Sequence, residues 1–362
     1  IGYSSLASDD VAVAAGVGAT IQGSDSVSVD SSLFGAAVRV ALEADGDDEL
    51  NLGIAAASGL QILDTAVLPE ESVRIGGADG VGEDSPYLRA VAYSQVDGEN
   101  AGAGYALATA NGIDIDSSHS VYLEDVTIDA RAGAILSDDG GVEAAGSEDF
   151  EVHARATGLS IGEDYFSSGG AFEFVTTNSG PAKYVEMDSV SVDATAYAYA
   201  EGNLAHNSGA FARSQAMGIN VGLSAPFEAV QGLYMEDSAG SATAVSFAYG
   251  ESASVSTYSG GVIVATLDDV APIHLDGVTG SAYAESVVEG ADAGGLIYAD
   301  GVNVLTEGVS HSIGVYGEAT GNFIADVRDA LGANGGFAGS ITSRGVILES
   351  RLDDVFVEDT TG

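Results

Sequence analysis

Residues Ala216-Met217-Gly218-Ile219-Asn220-Val221 read as a small residue, any residue, glycine, then apolar-x-apolar. The same order returns around Gly59, Gly112, Gly158, Gly261, Gly301 and Gly345, from Ala57-Ser58-Gly59-Leu60-Gln61-Ile62 to Ser343-Arg344-Gly345-Val346-Ile347-Leu348. Successive glycines of these seven copies stand 53, 46, 60, 43, 40 and 44 residues apart. Recurrence on that scale is the mark of a repeat architecture, in which each unit buries its apolar face only by stacking on the next. The unequal spacing means that the units share a framework and differ in their connecting segments.

Working outward from the glycine, a second landmark follows, apolar-x-apolar and then an acidic or small residue. Val121-Tyr122-Leu123-Glu124-Asp125, Val185-Glu186-Met187-Asp188, Leu233-Tyr234-Met235-Glu236-Asp237 and Ile273-His274-Leu275-Asp276 are examples. A third stretch alternates alanine with larger residues, as in Ala194-Thr195-Ala196-Tyr197-Ala198-Tyr199-Ala200. Each unit therefore holds three strand-like stretches in a fixed order, and the period-2 alternation is a β signal. The best helix candidate, residues 322–331, has glycine at its borders and room for one or two turns. Glycine recurs throughout and would weaken any helix by about 1 kcal/mol per site.

The two faces of these strands differ. Ala196, Ala198 and Ala200 point one way, and Thr195, Tyr197, Tyr199 and Glu201 the other. The same split gives Ala212, Ser214 and Ala216 against Phe211, Arg213, Gln215 and Met217. A face of such small residues allows close approach of a second sheet. The predicted fold is all-β, a repeat array read as a β-solenoid (β-helix) with units of 40–50 residues. The alternative is an antiparallel meander of stacked sheets, each glycine marking a hairpin. Residues 1–362 are expected to form one continuous array of about seven β repeats. Val355-Phe356-Val357-Glu358-Asp359-Thr360-Thr361-Gly362 matches the start of a unit, which suggests a window on a longer repetitive protein, cut in mid-repeat at both ends.

Composition narrows the function. The 55 Asp and Glu against 10 Lys and Arg leave a formal charge of −45, which would repel phosphate backbones and anionic head groups. Nucleic-acid partners and membrane insertion are therefore not expected. There is no Cys, hence no disulfide framework and no thiolate chemistry. A transmembrane barrel would need an outward apolar band, and here the larger faces mix aromatics with Glu, Asp, Arg and Gln.

For catalysis, a polysaccharide lyase or glycosidase on a β-helix is the reading to weigh. The basic residues are thinly spread, and among so many acids no carboxylate pair stands out by spacing. His274 and His311 occupy equivalent repeat positions and are read as half-exposed strand residues rather than metal ligands. The candidate metal ligands are carboxylates at predicted bends: Asp45, Asp47, Asp48, Asp138, Asp139, Asp268 and Asp269, whose oxygens suit Ca²⁺. Residues 76–84 are Gly/Asp-rich in a similar way. Chelation would then lower the melting temperature.

At the level of the array, the chain resembles repetitive secreted β-proteins: adhesins, autotransporter-like passengers and fibre-forming surface proteins. The resemblance rests on repeat style. It implies an extracellular, cell-surface, structural or adhesive role without catalysis, with self-association into a fibre and a surface glycan as the candidate partners. It transfers no site residues. A carbohydrate-binding or carbohydrate-cleaving β-helix is the second expectation, and it asks for Tyr197, Tyr199, Tyr234, Tyr249, Tyr283 and Tyr298 lined up along one groove.

Overall fold

A computed structural model describes residues 11–23, 26–30, 32–44, 50–64, 72–76, 85–98, 103–116, 120–137, 149–162, 184–202, 209–223, 232–266, 272–306, 310–327, 336–350 and 355–362. Each unit is one coil of three strands, and equivalent strands of successive coils pair to build three sheets. Among the described residues the long sheet has eight strands, from Val11–Gly23 through Gly209–Leu223 to Gly336–Ser350. The short sheet also has eight, from Val27–Val29 through Tyr184–Asp188 to Val355–Glu358. The alanine sheet has seven, from Leu33–Ala44 through Ser191–Glu201 to Tyr316–Val327.

The antiparallel meander is overturned. Every strand pairing among the described residues is parallel, for example Ala194↔Ala242↔Ala282 in the alanine sheet. Three parallel sheets fit a β-solenoid. The unit is long for one coil because the strand that contains the glycine motif is itself 13–15 residues long. The helix candidate is also corrected: Asn322 to Val327 belong to strand Tyr316–Val327, and residues 328–331 lie outside the described part. An additional copy of the glycine motif sits in the first long strand as Gly16-Val17-Gly18-Ala19-Thr20-Ile21. Its register, Val17↔Ser58 and Ala19↔Leu60, sets Gly18 beside Gly59.

The glycine column is a waist that divides the interior in two. After the glycine, Leu60, Ile62, Ile113, Ile115, Leu159, Ile161, Ile219 and Val221 turn inward against Val121, Leu123, Val185 and Met187 of the short sheet. Full burial of each Leu or Ile contributes roughly 1.5–3 kcal/mol. Before the glycine, Ala108, Ala154 and Ala212 face Ala132, Ala196 and Ala244 of the alanine sheet in a second, thinner core. The sheets approach so closely there that hydroxyls bridge them. Ser214 Oγ lies 2.7 Å from Ser246 Oγ, Thr257 Oγ1 donates to Ser246 Oγ at 2.8 Å, and Thr257 Oγ1 lies 2.5 Å from Ser286 Oγ. At the waist itself the backbones touch. A Cβ on Gly218 would stand 2.5 Å from Gly261 O and 2.9 Å from Ser241 N.

The residue that follows the fourth position of the second landmark turns a corner. Asp125, Ser189, Asp237 and Asp359 have φ between 45° and 56°, and Gly277 and Gly314 have φ of 64° and 62°. This left-handed region suits Gly and Asp and is costly for most other residues. The corner amides stay in the ladder, as Asp237 N donates to Asp276 O at 3.0 Å.

Candidate functional site

Two outer surfaces carry aligned polar and aromatic side chains. On the short sheet, register places Arg74, Tyr122, Glu186, Tyr234, His274, His311 and Phe356 in one column. Glu186 interrupts the rings, and Tyr184, two residues earlier on the same face, fills the gap. Tyr184 sits opposite Ser120 and Gly232, which leave it room. Its ring centroid is 5.7 Å from Tyr122 and 5.8 Å from Tyr234. The ladder continues through His274 at 5.7 Å from Tyr234, His311 at 6.3 Å and Phe356 at 4.7 Å. The Arg74 guanidinium lies over Tyr122 at 4.4 Å, a cation–π contact at the end of the ladder.

Beside the rings runs a carboxylate row, Glu124, Asp188, Glu236 and Asp276, aligned by the same pairings. A shallow groove lies between the rows, lined by Tyr184, Glu186, Asp188, Tyr234, Glu236 and His274 among others. Tyr184 Oη donates to Glu186 Oε2 at 2.9 Å. Partial burial, and then this bond, push the Tyr184 phenol well above its ordinary range. Tyr199 on the alanine sheet repeats the device, donating to Glu201 Oε2 at 2.6 Å with its centroid 5.6 Å from Tyr249. Its phenol is likewise raised, first by burial.

The second surface is a crease along the long sheet. The strands bend at the glycine so that outward side chains on either side close on one another. Met217 and Asp300 are buried although they alternate with inward residues. Asp300 accepts from Arg344 Nε and Nη2, both at 2.8 Å, and from Asn303 Nδ2 at 3.3 Å. Arg155 is partly buried in the same crease; desolvation first, and the Arg213 charge after it, lower its guanidinium to about 10 against the nearby Asp114 carboxylate.

The residues singled out from sequence are distributed as follows. Asp45, Asp47, Asp48, Asp138, Asp139, Asp268 and Asp269 lie outside the described residues, as do residues 77–84. Among the described residues no group of three or more His, Asp or Glu is arranged to hold a metal. His274 and His311 are register neighbours and stack. The six tyrosines do not share a groove: Tyr197, Tyr199, Tyr249 and Tyr283 are on the alanine sheet, Tyr234 on the short sheet and Tyr298 on the long sheet. Sequence reasoning missed Tyr184, because Glu186 holds its column position. It also missed the Asp300–Arg344 pair. The signal for that pair was present, since both residues occupy the "any residue" place of adjacent glycine motifs. No helix among the described residues is long and apolar enough to cross a membrane. Comparison with protein-family models, with curated proteins and with solved structures returns no match.

Proposed function

We propose that the chain is a structural element of an extracellular scaffold, a cell-surface filament or adhesin stalk without catalytic activity. The observation that carries this reading is the unbroken register of three parallel sheets, with like residues stacked on like and no strand slipping between layers. Such a stack gains stability layer by layer and can be lengthened without redesign. The acidic exterior keeps it solvated and suppresses unspecific association.

Among the described residues, eight layers at about 4.8 Å make a stack roughly 40 Å tall, shorter than the contour of one long strand, roughly 50 Å. A filament therefore needs further layers, from the same chain or from other copies. The outermost long strands, Val11–Gly23 and Gly336–Ser350, each have a strand neighbour on one side among the described residues. An unpaired edge of that kind templates pairing. Electron microscopy and fibre diffraction of concentrated protein test the reading. Filaments with an axial repeat near 4.8 Å support it, whereas compact particles that stay single at every concentration and salt count against it.

A carbohydrate ligand along the short sheet is the second reading, favoured by the groove between the ring and carboxylate rows. Neighbouring rings from Tyr122 to His311 are tilted 41–53° to one another and packed within 5.7–6.3 Å, which leaves no single flat platform for a sugar and weakens this reading. Glycan-array binding that is lost in Tyr234→Ala would restore it.

A further inference from the structure

The chain has no Cys and one Lys, so disulfides cannot join its layers and a lysine-based isopeptide bond could join at most one pair of them. It has 15 Tyr. We propose that Tyr184 with Tyr122 or Tyr234, and Tyr199 with Tyr249, are sites of intrachain dityrosine cross-linking by a one-electron oxidant, which joins adjacent layers covalently.

Three observations carry this. First, the partners come from neighbouring layers held in fixed register, and their centroids are 5.7, 5.8 and 5.6 Å apart with the planes tilted 53°, 45° and 45°. That separation is within contact range for aromatic pairs, so coupling needs only a small swing of each ring. Second, one tyrosine of every pair already donates its hydroxyl to a carboxylate, Tyr184 to Glu186 and Tyr199 to Glu201. A raised phenol does not ionise first at neutral pH, so its proton must leave as the electron leaves, and the carboxylate is in place to take it. Third, Tyr234 is 42% exposed and the other four are half-buried, so an external oxidant can reach the ladders without entering the core.

The chemistry balances with a haem peroxidase and hydrogen peroxide. Each phenol gives one electron to the oxidant and its hydroxyl proton to a base, leaving a phenoxyl radical. Two radicals join through a carbon–carbon bond between ring carbons ortho to oxygen. The hydrogen on each of those carbons then moves to its own oxygen and restores the phenol. Two electrons and two protons leave the pair, and one peroxide becomes two waters.

The test treats the full chain with a haem peroxidase and hydrogen peroxide, then isolates the monomer. The expected result is dityrosine fluorescence in the monomer, an intact mass lower by two hydrogens per cross-link, and linked peptides that contain Tyr184 or Tyr199. Tyr184→Phe keeps the ring and should abolish the links on the short sheet while the Tyr199–Tyr249 link persists. Tyr249→Phe should do the reverse. Glu186→Gln should lower the yield at Tyr184 alone. A monomer without dityrosine, dityrosine confined to interchain dimers, or an unchanged yield in the Tyr184→Phe/Tyr249→Phe double variant overturns the proposal.

Discussion

Asp300, fully buried, is held by Arg344 through two parallel hydrogen bonds of 2.8 Å, although the two residues are on separate layers and Arg344 is 46% exposed. Removing one partner of a buried pair strands the other charge. Arg344→Met leaves Asp300 with the Asn303 amide at 3.3 Å and is expected to cost about 3 kcal/mol. Asp300→Asn combined with Arg344→Met should recover most of that loss. Urea denaturation of the two single variants and the double variant gives the coupling directly.

The waist sets a second expectation. Gly218→Ala puts a methyl 2.5 Å from Gly261 O and 2.9 Å from Ser241 N, and both are backbone atoms that cannot swing aside. Overpacking of this kind costs about 3 kcal/mol, the upper end of its range. By contrast, Gly294→Ala meets only Ala338 O, at 3.1 Å, and should cost clearly less. Thermal melts of the two variants rank them.

Ser310 and Ser312 stand in the aliphatic core, paired with Ile273 and Leu275 on one side and Val355 and Val357 on the other. Their hydroxyls are buried and have no hydrogen-bond partner among the described residues. Ser312→Val removes an unsatisfied oxygen and adds apolar contact, so it should stabilise by about 1 kcal/mol. A higher midpoint in urea with an unchanged slope checks this.

Alkaline pH should loosen the fold. Burial raises the phenols of Tyr93, Tyr184, Tyr197, Tyr199, Tyr249 and Tyr258 above the ordinary value of 10.0. The folded chain then binds these protons more tightly than the unfolded chain. Their contribution is complete below pH 10.0 and is lost as pH rises from there through the folded values. Denaturation midpoints should hold steady from pH 7 to 9 and fall by pH 11. The 295 nm titration of the native protein should lag that of the unfolded chain.

Much of the fold was legible in the sequence, and the reason is specific. Alternation at Ala194–Ala200 sets a strand and its inner face whatever the direction of its neighbours. The direction of pairing was not legible from those residues alone, because a glycine every unit serves a hairpin as well as a waist; the β-solenoid reading, which the parallel sheets fit, rested on the recurrence of whole units. The acidic residue after Val121-Tyr122-Leu123-Glu124 was visible as a landmark, yet its cause, a left-handed corner at Asp125, is a backbone fact. Met217 was assigned to the outer face by its parity. It does alternate outward, but the crease at Gly218 buries it. Alternation alone carries no information about a bend. The ring ladder was half visible, in His274 above His311. Tyr184 reaches it from the wrong column, by side-chain lean and not by register.

The hydrogen bonds of all three sheets run along the stacking axis. Tension applied along that axis therefore loads every bond between two layers together. Tension applied to one end of the chain instead opens a single coil, strand after strand. Resistance to force should thus be strongly anisotropic, high for a load shared across a whole layer and low for one that peels from a free edge.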